Sequence, residues 1–156
     1  MIHRFQTSAG VVCASAAFLG GVLLASPAGA DPGADVEQAV SAARGGAACP
    51  GFRHNDVATQ AADIINRSTK AYLAHDTAIV PADNPQPTAI LKDLGVETLK
   101  AKLLQGAGHS AADAIKASIL QGFKEIPDCS YTDIGASMLI EEQTGYVVIA
   151  AVLLGE

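Results

Sequence analysis

The sequence predicts an α+β fold in the form of a three-layer α-β-α sandwich, with a small, mainly antiparallel sheet and a C-terminal hairpin covered by helices. Three observations carry this prediction: an unbroken apolar run from Val147 to Leu154, an alternating run before it, and two amphipathic segments upstream. A strand that is apolar on both faces belongs in a layer covered on both sides. The run is also too short to span a bilayer, which needs about 20 apolar residues. We therefore expect one amphipathic segment to cover each face.

The hairpin begins with the alternating run over residues 131–140. From Ile134 onward every second residue is apolar, which is typical of a strand. Glu141–Gly145 then forms a polar turn into the apolar run. Because an isolated hairpin is only marginally stable, we expect at least one further strand, and Thr77–Val80 is the segment that suits it best. The prolines within residues 81–87 make the following region a crossing loop.

The longer amphipathic segment predicts a helix over residues 55–75. Asn55 is a favourable N-cap, and the carboxylate of Asp56 suits the first turn. The buried face is expected to hold the residues that recur at helical spacing, namely Val57, Ala61, Ile64, Ile65, Ser68 and Tyr72. Asn66 and Arg67 fall on the opposite side and are expected to face solvent.

The second long helix is predicted to start at Ser110, where Ser110 and Asp113 resemble a capping box. Pro127 prevents its extension. Its buried stripe is expected to consist of Ala111, Ile115, Ile119 and Phe123. Two shorter helices are predicted over residues 88–94 and 97–105, each followed by a glycine that ends it.

The first 30 residues have the layout of a secretory signal peptide. Arg4 lies near the start, an apolar stretch runs from Ala9 to Ala25, and Ala28-Gly29-Ala30 forms a small-x-small cleavage site. A membrane anchor is the alternative, but it needs a longer unbroken apolar run. We therefore expect cleavage after residue 30 and no membrane span in the mature chain.

The mature chain is predicted to begin with a loosely ordered N-terminal arm, residues 31–48, that holds one short helix at 36–44. It keeps Cys49 and Cys129, because Cys13 lies in the cleaved segment. In an oxidising compartment, a single pair of cysteines most simply forms one disulfide. Closing a loop of about 80 residues stabilises the fold by roughly 4–5 kcal/mol in the chain-entropy model. The protein is thus expected to be secreted, either extracellular or in the cell envelope.

The chain carries a formal net charge of -6, and its basic residues are not clustered. Removal of Arg4 with the signal peptide makes the mature chain one unit more negative. This balance disfavours nucleic acid and anionic membrane surfaces as partners. The glycines around Gly106 lack the rest of any phosphate-binding loop, so no nucleotide cofactor is expected.

The C-terminal part of the chain carries a familiar set of motifs. It includes Ala112–Ile119, Gly122-Phe123-Lys124, Cys129-Ser-Tyr-Thr-Asp-Ile-Gly135 and the run from Gly145 to Gly155. These segments resemble the C-terminal half of the CAP superfamily, the cysteine-rich secretory, antigen five and pathogenesis-related proteins with an SCP-like domain. The resemblance implies that residues 49–156 form a CAP-like α-β-α domain. The Ala- and Gly-rich composition and the Ala-Asp-Pro junction also resemble secreted actinobacterial proteins.

The departures from the family pattern bear on function. The histidine of the family's Gly-His-Arg triplet corresponds here to Phe123, and the tryptophan of the family helix is absent. A phenyl ring has no lone pair, so the family's metal site is not expected, although Glu97 is a candidate for its cleft glutamate. Some members of the family bind sterols or fatty acyl lipids between helices, and this implication does not depend on the histidine.

The residues themselves offer no catalytic or metal-binding set. His54, His75 and His109 are the histidines of the mature chain, and none belongs to a recognised zinc motif. No Gly-x-Ser-x-Gly elbow presents a nucleophilic serine. We therefore expect no catalytic residue, no metal ligand and no cofactor.

These observations favour a non-enzymatic domain that binds a lipid or another apolar ligand, or a protein of the cell envelope. Ala-rich helix faces against an aliphatic hairpin leave little bulk, so the expected ligand space is an incompletely filled interior. Two alternatives stay open. One is an extracellular hydrolase, which a buried polar cluster around His54, His75 or Glu97 would favour. The other is a structural envelope protein, which a flat surface without pockets would favour.

Overall fold

The computed structural model describes residues 31–45, 49–76, 87–98 and 100–155. Within these ranges, the helices are α1 (Pro32–Ala43), α2 (Asp56–Leu73), α3 (Thr88–Asp93) and α4 (Ala111–Gln121). The strands are β1 (Arg53–His54), β2 (Lys100–Gly108), β3 (Tyr131–Ile140) and β4 (Val147–Gly155). Two predictions, the signal peptide over residues 1–30 and the strand Thr77–Val80, lie outside the described residues.

The strands form one sheet in the order β1-β3-β4-β2. β4 pairs antiparallel with both β3 and β2, and β1 pairs parallel with β3. β3 and β4 are the predicted hairpin, and residues 141–146 connect them. We call this end of the sheet the turn end. The opposite end, where β2 and β3 begin and β4 finishes, is called the disulfide end.

Helices cover both faces of the sheet. α2 and α3 pack on one face, against Ala101, Leu103, Ala150, Val152 and Leu154. α1 and α4 pack on the other, against Leu104, Ile134, Ile149, Ala151 and Leu153. From Val147 to Leu154, no residue of β4 is more than 7% exposed. The fold is therefore the predicted α-β-α sandwich, with β4 as its doubly covered central strand.

Helix α1 is longer and more firmly packed than the predicted arm with a helix at 36–44. It starts at Pro32, and the Asp31 side chain caps it by accepting the Gly33 N–H at 3.0 Å. Val36 and Val40 are fully buried against the sheet. Their spacing of one helical turn gives the segment a continuous apolar face, which holds residues 32–43 in place.

Helix α2 follows the prediction in its position but not in the face that it buries. Asn55 caps it by accepting the N–H groups of Val57 and Ala58 at 3.1 and 3.0 Å. The residues that it buries are Ala58, Ala61, Ala62 and Asn66. Ile64 and Tyr72, predicted to be buried, are 43% and 38% exposed. The small alanines face the sheet because the helix lies directly on its backbone, where larger side chains do not fit.

Helix α4 shows the same difference. The predicted cap is confirmed, since Ser110 Oγ accepts the Asp113 N–H at 3.2 Å. Ala114 and Ser118 are buried, whereas Phe123 of the predicted stripe is 66% exposed. The predicted stop at Gly95 after α3 is confirmed by its φ of +82°.

Strand β2 corrects the predicted helix at residues 97–105. Lys100–Gly108 pairs along its whole length with β4 and provides the third long strand of the sheet. Leu, Lys, Ala and Gln favour a helix locally, but pairing with the fully covered central strand outweighs that preference. Among the described residues, no helix is both long and apolar enough to cross a membrane.

Candidate functional site

The disulfide end is held by a covalent bond. Cys49 and Cys129 are joined, with their Cα atoms 5.1 Å apart. The bond connects the loop before β1 to the turn before β3, as the sequence predicts. It therefore fixes two loops that both border the first residues of β3.

Arg44 reinforces the same connection, although nothing in the sequence singled it out. Its side chain is only 3% exposed, and Phe52 covers one face of the guanidinium at 3.4 Å. Its nitrogens donate to the backbone carbonyls of Ile126, Pro50, Asp128 and Tyr131 at 2.7, 3.0, 3.0 and 2.8 Å, respectively. Burial lowers the pKa of Arg44, but a guanidinium keeps its charge in proteins. Arg44 thus ties the end of α1 to both disulfide-linked loops.

A serine, a lysine and an aspartate meet beside the disulfide. Lys100 Nζ donates to Asp128 Oδ2 at 2.7 Å and to Ser130 Oγ. Ser130 Oγ in turn donates to Asp128 Oδ1 at 2.7 Å. A serine beside a lysine is a known nucleophile arrangement when the lysine is neutral and takes the serine proton. Here the hydrogen bond to Asp128 raises the pKa of Lys100, so the amine stays protonated and is not a base.

His54 is held between two carboxylates. Its Nδ1 lies 2.9 Å from Glu37 Oε2, and its Nε2 lies 3.1 Å from Asp56 Oδ1. Glu37 is fixed by the Ala136 N–H, which donates to Oε1 at 3.1 Å. The hydrogen bond to Glu37, followed by that to Asp56, raises the pKa of His54. The two carboxylates bind nitrogens that point away from each other, so the trio links α1 to α2 rather than converging on one ion.

The other candidate residues of the sequence do not gather into a site. His75 and Glu97 are exposed, and the ring of His109 packs on Tyr146 with ring centres 4.3 Å apart. Phe123, which takes the place of the family's histidine, lies on the surface with Lys124 beside its ring. Within the described residues, no group of three or more His, Cys, Asp or Glu side chains is arranged to hold a metal ion.

At the turn end, an open groove of about 290 Å³ runs along the side of β2 between α2 and α4. Its lining is small or aliphatic except for one hydroxyl and one amide, and consists of Thr69, Gln105, Gly106, Ala107, Ala117, Val148 and Ile149. None of these side chains is titratable. The groove can therefore take an apolar group, but none of its side chains can serve as a general acid or base near neutral pH.

The interior between helices and sheet is closely packed where the helices cross glycines. A Cβ added to Gly135 would lie 2.0 Å from the Thr59 backbone nitrogen of α2. One added to Gly106 would lie 2.0 Å from the Ala114 carbonyl oxygen of α4. Real Cβ atoms do not come so close to backbone atoms, so neither layer leaves space for a ligand at these crossings. Among the described residues, apolar space is present in the groove at the side of the sheet.

Asn66 was predicted to face solvent, but it lies on the buried face of α2. It is 1% exposed, and its Nδ2 donates to Ser137 O at 3.1 Å and Val148 O at 3.0 Å. Ser137 Oγ donates to Asp63 Oδ1 at 3.3 Å, which extends the contact to the helix surface. The run of alanines one turn apart before Asn66 was the available signal, since it marks the face nearest the sheet.

The four-stranded sheet between two helical layers is a fold that solved structures of SCP-domain and cysteine-rich secretory proteins share. Two solved structures share it. One is a 1.5 Å crystal structure of an extracellular protein containing an SCP domain from Bacillus anthracis, with a TM-score of 0.54 and 11% identity over 80% of this chain. The other is a cysteine-rich secretory protein from Staphylococcus aureus, with the same score and identity over 83% of this chain.

The chain spans 40% of the length of each of these two proteins. At 11% identity, the likeness establishes the fold and not the activity. Neither a protein-family model nor a curated protein matches the sequence. The CAP-like fold implied by the C-terminal motifs is thus confirmed.

Proposed function

We propose that this protein is a secreted, non-enzymatic CAP-like binding domain whose groove at the turn end takes an apolar ligand, such as one lipid acyl chain. The observation that carries the proposal is the lining of the groove, in which small and aliphatic side chains form the walls and no titratable group is present. Ligand sites are mostly apolar concavities with a few polar groups that orient the ligand. Thr69 and Gln105 are the groups that would do so here.

The size of the groove limits its ligand. Small-molecule pockets hold roughly 300–1,000 Å³, and this groove, at about 290 Å³, is at the lower end. It suits part of a single chain rather than a bulky ring system. Its open side leaves the rest of such a ligand, or its headgroup, in solvent.

Binding is favoured over catalysis by the state of the polar clusters. Lys100 is held protonated by Asp128, and both ring nitrogens of His54 are engaged by carboxylates. The hydrolase alternative called for a buried polar cluster around His54, His75 or Glu97, and all three are exposed. A structural envelope protein would be expected to have a flat surface, which the groove interrupts.

Secretion is supported by the disulfide and by the layout of residues 1–30. Structural disulfides persist in oxidising compartments outside the cytosol. Two solved proteins that share the fold are described as an extracellular protein and a cysteine-rich secretory protein. We propose that the secreted domain acts on ligands or proteins of the cell envelope.

Native mass spectrometry with palmitate as the offered acyl chain tests the proposal. We expect one bound chain per protein. Ala107→Leu should abolish uptake, because the exposed Ala107 lines the groove and a leucine there fills it. Ala112→Leu, at an exposed position in the first turn of α4, is the matched control and should bind as the wild type does.

Detection of the apo mass alone, both in protein from its secretion route and after incubation with palmitate, would refute the proposal. Equal uptake by Ala107→Leu and wild type would refute the location of the site.

A further inference from the structure

A second concavity lies at the disulfide end, far along the sheet from the groove. It is an open pocket of about 340 Å³, lined by Arg44, Pro50, Gly51, Arg53, Tyr131 and Thr132. Gly51 has open space where a Cβ would lie, so the pocket is accessible beside the backbone. Two of the six lining residues are arginines, in a protein whose overall charge is negative.

The guanidinium of Arg44 feels the Coulombic attraction of Asp128, but it forms no ion pair of its own among the described residues. All four of its hydrogen-bond acceptors are backbone carbonyls. Among the described residues, no carboxylate lies within ion-pair distance of its guanidinium. A buried cation without a paired anion is costly, even when its hydrogen bonds are made. The site therefore gains from any anion that approaches it.

One N–H of Arg44 is also unused. A guanidinium has five N–H groups, and four of them donate to carbonyls, with Nη1 making a single bond to Pro50 O. The second N–H of Nη1 has no acceptor within the described parts of the chain. Arg44 is one of the residues that line the pocket, although only 3% of its surface is exposed.

The acidic residues near the pocket are already engaged. Asp128 binds Lys100 at 2.7 Å, and Asp133 binds Nη2 of Arg53 at 3.0 Å. The contact with Lys100 holds the pKa of Asp128 well below its usual range, so this carboxylate stays ionised and paired. Because each of these ion pairs is neutral overall, the positive charge of Arg44 remains unbalanced at the pocket.

We infer that this pocket binds a small oxyanion, a carboxylate or phosphate group, between Arg44 and Arg53. Arg44 supplies a fixed, largely desolvated charge and its free Nη1 N–H. Arg53 is 73% exposed and keeps the donors that do not contact Asp133, so it closes over the anion from the solvent side. Planar guanidinium groups match carboxylate and phosphate geometry better than other cationic side chains do.

NMR titration of the folded, disulfide-bonded protein tests this inference. Inorganic phosphate and acetate serve as probes, with sodium chloride at equal ionic strength as the reference. We expect saturable shifts of the Gly51, Arg53 and Thr132 amides and of the Arg44 Nε–H signal. Stronger binding of phosphate would assign the site to phosphate-bearing ligands, and stronger binding of acetate to carboxylate-bearing ones.

Arg44 also holds the fold, so its variants are unsuitable as the main test. Arg53→Gln should weaken binding about tenfold, the value of one charge-assisted hydrogen bond. Arg67→Gln is the matched control, because Arg67 is 71% exposed and pairs with Asp63 much as Arg53 pairs with Asp133. Its affinity should be unchanged.

Shifts that stay linear and equal to those caused by chloride would overturn the inference. So would an Arg53→Gln variant that binds as tightly as the Arg67→Gln control. Neither outcome bears on palmitate uptake at the groove, so the two sites are tested separately.

Discussion

At the disulfide end of the sheet, the structure is held by a covalent bond and by charged groups that bind backbone carbonyls. At the turn end, the structure is held by the close packing of a helix on Gly106. An amide that donates to backbone C=O groups and a carboxylate that accepts from backbone N–H groups also hold it. Arg44 and the disulfide typify the first end. Asn66 typifies the second, together with Glu141, which is 1% exposed and accepts the N–H groups of Gln143 and Thr144.

The difference shows how a core of small side chains is made specific. Alanine and glycine bury little apolar area per residue, so burial alone stabilises such a core less than a core of larger side chains. At the disulfide end, the disulfide offsets this smaller stabilisation by reducing the conformational entropy of the unfolded chain. At the turn end, helix backbone lies directly against strand backbone, as at Gly106. There, single hydrogen bonds such as those of Asn66 fix the position of the helix on the sheet.

The largest effect should come from the disulfide end. Replacing both Cys49 and Cys129 by Ser removes a constraint on a loop of 80 residues. We expect a loss of about 4 kcal/mol in the free energy of unfolding, measured by urea denaturation. Reduction of the wild-type protein should reproduce the loss. A loss below about 1 kcal/mol would mean that noncovalent contacts, including those of Arg44, hold this end without the disulfide.

At the turn end, Gly106→Ala should be the most damaging small change. Its Cβ would lie 2.0 Å from the Ala114 carbonyl, so α4 must move away from β2. We expect about 3 kcal/mol of destabilisation in the same denaturation assay. Gly51→Ala is the control, because its Cβ meets nothing within 4 Å. Equal stability of the two variants would contradict the close packing of α4.

Asn66→Ala tests whether the amide matters at the turn end. It removes the donor to two buried carbonyls, and we expect a cost of about 2 kcal/mol in thermal or chemical unfolding. Arg67→Ala, at the next position, loses only an exposed ion pair with Asp63 and should change stability by less than about 0.5 kcal/mol. Similar values for both variants would show that Asn66 is replaceable.

The smallest effect concerns pH at the disulfide end. The pKa of His54 is raised in the folded protein, so its stabilisation is fully present below the unfolded pKa and is lost as pH rises through the folded pKa. The ring is 54% exposed, so we expect only a few tenths of a kcal/mol between about pH 5.5 and pH 8.5. His54→Gln should remove this difference, whereas His75→Asn should keep it. If the pH dependence were unchanged in His54→Gln, the contacts of His54 with Glu37 and Asp56 could not be its source.

The fold could be predicted because its strongest signal is local. The apolar run of β4 and the caps at Asn55 and Ser110 are visible in a few residues each. β2 could not be recognised, because its composition favours a helix and its strand state depends on pairing with β4. Gly106, interpreted as the end of a helix, in fact marks the place where α4 lies on the strand.

The faces of the helices were harder to predict than their positions. For α2, the large residues Ile64 and Tyr72 suggested one face, but the sheet is contacted by alanines and Asn66. For the binding sites, only the cysteines carried a signal. Arg44 binds three carbonyls, and Glu37 binds one N–H, that lie more than 80 residues away along the chain, and such contacts leave no local pattern.

The position of Arg44 has a consequence for the oxidation of the protein. In the reduced chain, the guanidinium of Arg44 would make the same hydrogen bonds to the carbonyls of Ile126, Asp128 and Tyr131, which flank Cys129. Cys49 lies five positions further along the chain from Arg44. We therefore expect the docking of α1 to raise the effective concentration of one thiol at the other and to favour formation of the disulfide.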